Sequence, residues 1–268
     1  MIDRAFTPSE ITEHISFRIE GGIAEVRLTR PDRLNALSEP MKDELTRLFR
    51  QLNTDKDVRV VVLSAEGKSF CASGDVTTMG NFTAVSARER LKRAHGMIIA
   101  LANIEKPVIT SVRGMVAGIG WSMALATDLI VASDTAVFSQ VFRNVGLSPD
   151  GGAIYFLCRA LGEVKARELV YLAKRINAEE AMELKLVNQL CADDRLERET
   201  AELAANLASS PLYAMATTKK LFKAMHTPSL ETFLDIEAWA QSVNLLTEDH
   251  AEGISAFLEK RCPQFIGS

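Results

Sequence analysis

The chain has 268 residues, 47% of them hydrophobic and 25% charged, and its 31 Lys and Arg against 35 Asp and Glu leave a formal net charge of −4. That is long enough for a sizeable core and too apolar for general disorder. The acidic balance disfavours sequence-blind nucleic-acid binding, which needs many phosphate-facing cations.

The longest apolar-rich stretch, 115–131, is interrupted by Trp121, Ser122, Thr127 and Asp128. It is shorter than the ~20 mostly apolar residues of a spanning helix, so no membrane association is expected. The first 14 residues are polar and acidic and lack the apolar centre of a secretory signal. Cys71, Cys158, Cys191 and Cys262 are far apart and form no C-x-x-C pair. That is the pattern of free thiols in a reducing cytoplasm. His14, His95, His226 and His250 form no ligand-spaced pair, and no metal site is expected.

In chain order, residues 23–29 alternate apolar and polar, the period of a half-buried strand. Ser38 caps a helix with Pro40 in its first turn, and Met41, Leu45, Leu48, Phe49 and Leu52 form its apolar stripe. The β-branched run 58–64 predicts a buried strand, and a Gly/Ser-rich turn follows at 67–74. A long helix over 86–104, a buried strand over 107–112 and a glycine-rich turn over 114–120 come next. A short helix over 121–126 and a strand over 129–132 complete an α/β alternation. Beyond Gly162 strand signals become sparse. Asn177 caps a helix over 178–185, and 194–209 is amphipathic. From Pro211 onward the pattern is helical throughout. This reads as a core of residues 1–210 and a helical region of residues 211–268, too small to hold itself together and in need of a partner surface.

Three places can carry chemistry. The first, residues 69–75, follows a buried strand and consists mostly of small residues, so a ligand can approach its free N–H groups. The second, 114–122, runs from a strand end into a helix N-terminus, whose amides and dipole suit negative charge. Gly118 and Gly120 match only part of a dinucleotide fingerprint. The third is Asp150, between a proline turn and an apolar helix over 153–161; on its own it also reads as a helix N-cap.

Taken together, these motifs resemble the crotonase family, also called the enoyl-CoA hydratase/isomerase superfamily. The resemblance runs through 30–37, 70–75, 114–128, 138–152, 178–187 and 257–265. It implies a spiral of β-β-α units with a C-terminal all-helical region, assembled as trimers or dimers of trimers through that region. It also implies an acyl-CoA thioester substrate, with coenzyme A as part of the substrate and no separate cofactor. By motif position, the backbone N–H groups of Gly74 and Ile119 would hold the thioester oxygen and stabilise an enolate. Ala36 and Ala72 would meet the nucleotide end, Arg33, Lys260 and Arg261 its phosphates, and Asp75 belongs with the substrate contacts. The two glutamates that hold water in a hydratase of this family are replaced here by Ser122 and Phe142. Asp150 stands where several family isomerases carry their acid/base. The expectation is an isomerase that shifts a carbon–carbon double bond (3-enoyl-CoA to 2-enoyl-CoA) with Asp150 as its one acid/base. A hydratase-like activity and a catalytically weak CoA-binding protein, or an RNA-binding relative, are the alternatives.

Overall fold

The computed structural model describes residues 13–80, 82–226 and 228–268. Most of the N-terminal segment judged to lack a secretory signal is outside these residues. β1 (Ile15–Glu20) and β2 (Ile23–Leu28) form an antiparallel hairpin. Its tip is Gly21-Gly22, both at positive φ as a two-residue hairpin requires. β3 (Val60–Ala65), β4 (Val108–Val112), β6 (Leu129–Ser133) and β9 (Gln189–Cys191) continue the sheet in parallel, in the order β1-β2-β3-β4-β6-β9. A smaller sheet holds β5 (Met115–Ala117), β7 (Val137–Ser139) and β8 (Ile176–Asn177), in the order β5-β7-β8.

Two coils of the chain give a strand to the large sheet, a strand to the small one, then a helix. β4 and β5 lead into α3 (Ile119–Leu125), and β6 and β7 lead into α4 (Ala153–Tyr171). β3 leads into a single parallel bridge between Cys71 and Val116, followed by α2 (Ala84–Ala102). The spiral of β-β-α units is therefore present. The expected glycine turn over 114–120 is corrected in one respect, because it encloses β5. A three-residue strand is too short to show a period of two.

The near-continuous apolar runs follow from burial on both faces. Val61 and Leu63 of β3 join the main core, while Val60 and Val62 join Ile109, Val131 and Leu196 in a second cluster. α6 (Leu196–Ala208) covers that outer face. α1 (Glu39–Thr54) starts where Ser38 Oγ accepts from the Met41 amide, and all five residues of its predicted stripe are buried. α2 starts at a reciprocal cap between Thr83 and Ser86. Asn177 caps α5 (Ala178–Glu183) through the Glu180 amide. α4 is interrupted at Gly162 (φ 75°, ψ 164°), which no helix tolerates.

The C-terminal region holds α7 (Leu212–Ala224), α8 (Leu230–Asn244) and α9 (Glu248–Glu259). It is tied to the core by polar contacts. Lys219 Nζ reaches Asp128 Oδ2 at 2.6 Å, and Lys223 donates to the Ala102 carbonyl. Arg59 donates to the carbonyls of Ala208, Ser210, Phe265 and Ile266. Among the described residues no helix is long and apolar enough to cross a membrane.

Candidate active site

Segment 34–37 runs beside 72–75. The Ala72 amide donates to Leu34 O, Leu37 N to Ser73 O, and Asp75 N to Leu37 O, all within 3.0 Å. In such a parallel bridge the residue facing Leu37, Gly74, turns its own N–H outward. Asn35 braces this loop from a left-handed conformation (φ 55°), donating to the carbonyls of Glu66 and Ser69 and accepting from the Arg30 amide. The second turn is built differently. Ile119 is the first residue of α3, where an amide has no intrahelical partner. Neither the Gly74 nor the Ile119 amide donates to a described group.

The two turns are pressed together by glycines. A Cβ on Gly118 (φ 51°) would lie 2.2 Å from Ser73 Oγ, and one on Gly120 would lie 2.6 Å from Cys71 Cβ. Burial pushes the Cys71 thiol up to about 12, so it stays a neutral packing group.

Asp150 comes to this place from the far side. A Cβ on Gly151 (φ 61°) would lie 3.1 Å from Ile119 Cγ1 and 3.0 Å from Ser122 Cβ, so the Asp150 turn rests on the first turn of α3. Ser122 Oγ donates to the Asp150 carbonyl at 3.0 Å. The carboxyl is not a helix cap: α4 is capped by Gly152, without a side-chain hydrogen bond. Asp150 Oδ1 is buried and has no partner. Burial pushes the Asp150 pKa up, Lys42, His95 and Arg90 pull it back, and Glu39 pushes it further up. Lys42, Arg90 and Glu39 thus bring charge near this carboxyl.

Phe142 is 5% exposed and Ser122 fully buried; the Phe142 ring reaches 3.5 Å from the Cβ position of Gly118. No glutamate stands at either position.

Asp75 is placed differently from the expectation. Its Oδ1 accepts from the Thr77 amide and hydroxyl, and its Oδ2 from Arg30 Nη1 at 2.7 Å. Those partners hold it down to about 2. It faces the protein and fixes the loop instead of reaching a substrate. The Ala36 carbonyl is likewise taken by Arg30. Ala72 is half-buried on the paired segment. Arg33 is exposed beside Asp32. Lys260 is exposed in a left-handed position that ends α9. Arg261 is committed to Glu252 and Glu259.

Sequence reasoning missed Asn35, Glu39, Lys42 and Arg90. Lys42 Nζ and Arg90 Nη1 both bind Glu39 Oε1, at 2.7 and 2.6 Å. The signal was a charged pair, Glu39 and Lys42, flanking a core position, Met41, in the first turn of α1.

A two-sheet spiral that leaves two backbone amides unspent beside a buried acid defines an enzyme scaffold. The chain belongs to the enoyl-CoA hydratase/isomerase family, whose profile matches residues 18–268. It is 33% identical to the 1,2-epoxyphenylacetyl-CoA isomerase of Escherichia coli, over 95% of this chain and 99% of that one. It is 30% identical to the trans-2-decenoyl-[acyl-carrier-protein] isomerase of Streptococcus mutans, over 95% and 98%. Among solved structures, an enoyl-CoA hydratase from Bacillus anthracis superposes with a TM-score of 0.91 at 29% identity, covering 96% of this chain and 100% of that one.

Proposed function

We propose that the protein moves a carbon–carbon double bond within an acyl-CoA thioester, from 3-enoyl to 2-enoyl. The Gly74 and Ile119 amides hold the thioester oxygen. Asp150 takes a proton from C2, the electron pair spreads into a dienolate, and the same carboxylic acid returns a proton to C4. No net atom is gained or lost, and one acid is enough. An oxyanion donor of this kind is typically worth ~10²–10³ in rate.

The observation that carries this reading is the Asp150 carboxyl: buried, unpartnered at Oδ1 and raised in pKa, on a turn that rests on Ile119. A raised pKa suits a group that must both take and give a proton. The isomerase names of two relatives support the same direction. A hydratase needs a second group to hold and activate water, and Ser122 and Phe142 offer no carboxylate. Within this reading, exposed Lys260 and Arg33 serve the CoA phosphates. The helical region 211–268 joins copies around a three-fold axis, in a reducing cytoplasm.

The test is turnover in deuterated water. A 3-enoyl-CoA should convert rapidly to the 2-enoyl thioester, with little 3-hydroxyacyl-CoA and partial deuterium at C4, because the carried proton competes with solvent. Efficient formation of 3-hydroxyacyl-CoA without double-bond movement would overturn the proposal.

A further inference from the structure

A cavity of about 1080 Å³ lies between α2, the start of α4 and α7. That is the size of a small-molecule site. Among the described residues neither Gly74 nor Ile119 lines it. Ile99, Tyr155 and Phe222 on its wall are exposed, so it opens to solvent without passing the oxyanion turns. Its body is apolar, with Ile98, Leu125, Phe156 and Met215 on the wall. His95 marks one end, with Gly151 and Gly152 of the Asp150 turn, and Asn103 marks the other. These two residues of α2 and its cap are just over two turns apart, about 12 Å along the axis.

The Asn103 end is charged. Lys219 and Lys223, one turn apart on α7, both line it. Lys219 Nζ donates to Asp128 Oδ2 at 2.6 Å and to the Lys106 carbonyl at 3.2 Å. Lys223 Nζ donates to the Ala102 carbonyl and to Asn103 Oδ1 at 3.2 Å. An ammonium has three N–H groups, so each keeps one to spend. Asp128 is the one carboxylate on the wall among the described residues. Lys220 and Glu105, whose charges also act on Lys223, pair with each other at 2.8 Å. This end is therefore one negative charge short. Burial pushes the Lys219 and Lys223 pKa values down, and for Lys223 the Lys219 charge adds to the push.

We propose that this cavity binds a free alkyl carboxylate, whose carboxylate accepts from Lys223 and Lys219 and whose chain runs along α2 toward Gly151 and Gly152. A carboxylate brings the one negative charge that is short and accepts from both spare N–H groups. An alcohol would leave the surplus charge uncompensated, and a cation would add to it. An extended chain of about ten carbons covers the length from Asn103 to His95. The site is separate from the oxyanion turns, and the inference does not depend on the thioester reading.

The experiment is calorimetric binding of decanoate and decan-1-ol to the full chain. Decanoate should bind about ten-fold more tightly than the alcohol. That ratio should fall to about one in Lys223→Met and persist in Lys223→Arg, which keeps the charge, with circular dichroism confirming the fold of both. No binding of decanoate, binding no tighter than that of the alcohol, or a preference unchanged in folded Lys223→Met would overturn the inference. Loss of the preference in Lys223→Arg as well would assign the effect to the tie with Ala102 and overturn it too. A second arm compares decanedioyl-CoA with decanoyl-CoA. A preference there, with none for free decanoate, would place the carboxylate on a thioester and reject the free ligand.

Discussion

Asp150→Asn separates a catalytic acid from a structural residue, because Asn keeps the shape and loses the proton. Under the proposed mechanism, kcat should fall by ~10²–10⁴ while the fold is kept, read from turnover and circular dichroism on the same sample. The pH dependence of stability carries an independent sign. Burial raises Asp150 above its ordinary 3.8. Between that value and the native one, the folded chain holds a proton that the unfolded chain has lost. The stabilisation from this group is therefore present below pH 3.8 and lost as pH rises through the native pKa. Asp75 runs the other way. It is held at about 2 against an ordinary 3.8, so its contribution is present above 3.8 and lost as pH falls toward 2. In thermal melts at pH 7, Asp150→Asn should melt at or above wild type and Asp75→Asn below it. Both differences should shrink as pH falls, the Asp150 one between its raised native pKa and 3.8, and the Asp75 one from 3.8 toward pH 2. The opposite order at pH 7 would contradict these environments.

At the scale of elements, the interlock of the two turns gives a sharp expectation. Gly118→Ala places a methyl 2.2 Å from Ser73 Oγ, at a φ of 51° that Ala resists. Either the turns part or Ser73 moves. The variant should lose about 2 kcal/mol or more in denaturant unfolding and most of its activity. Full activity would mean that the turns are less closely coupled than their packing implies. The long elements were legible because their chemistry is local: the apolar stripe and Ser38 cap of α1, and the β-branched run of β3. β5 and β8 were not, because strands of two or three residues carry no period and exist only by pairing with neighbours distant in sequence. The site divided in the same way. Gly74, Ile119 and Asp150 stand in motifs that can be read in order. The role of Glu39 depends on Arg90, fifty-one positions later, and no local pattern links the two. Asp75 looked like a ligand because the sequence does not show that Arg30 and Thr77 already use its oxygens.

For the molecule as a whole, the C-terminal helices bear the largest uncovered apolar side chains. Trp239 is 77% exposed, Leu246 86%, Phe257 83% and Leu258 74%, while α7 and α8 bury no residue. Large apolar side chains left uncovered in this number favour association. Light scattering at micromolar concentration should give a trimer or a dimer of trimers. A lone monomer would refute the assembly proposed for residues 211–268.

The two proposed oxyanion donors are main-chain amides, so no side-chain change removes them; only proline lacks the hydrogen. Glycine and isoleucine codons both differ from proline codons in at least two bases. No single-nucleotide change in the gene can therefore delete either donor directly, whereas any change in the first or second base of the Asp150 codon replaces its side chain. Under the proposed mechanism, the grip on the thioester oxygen is inherited with the fold, and the acid/base that selects the reaction is exposed to mutation one base at a time.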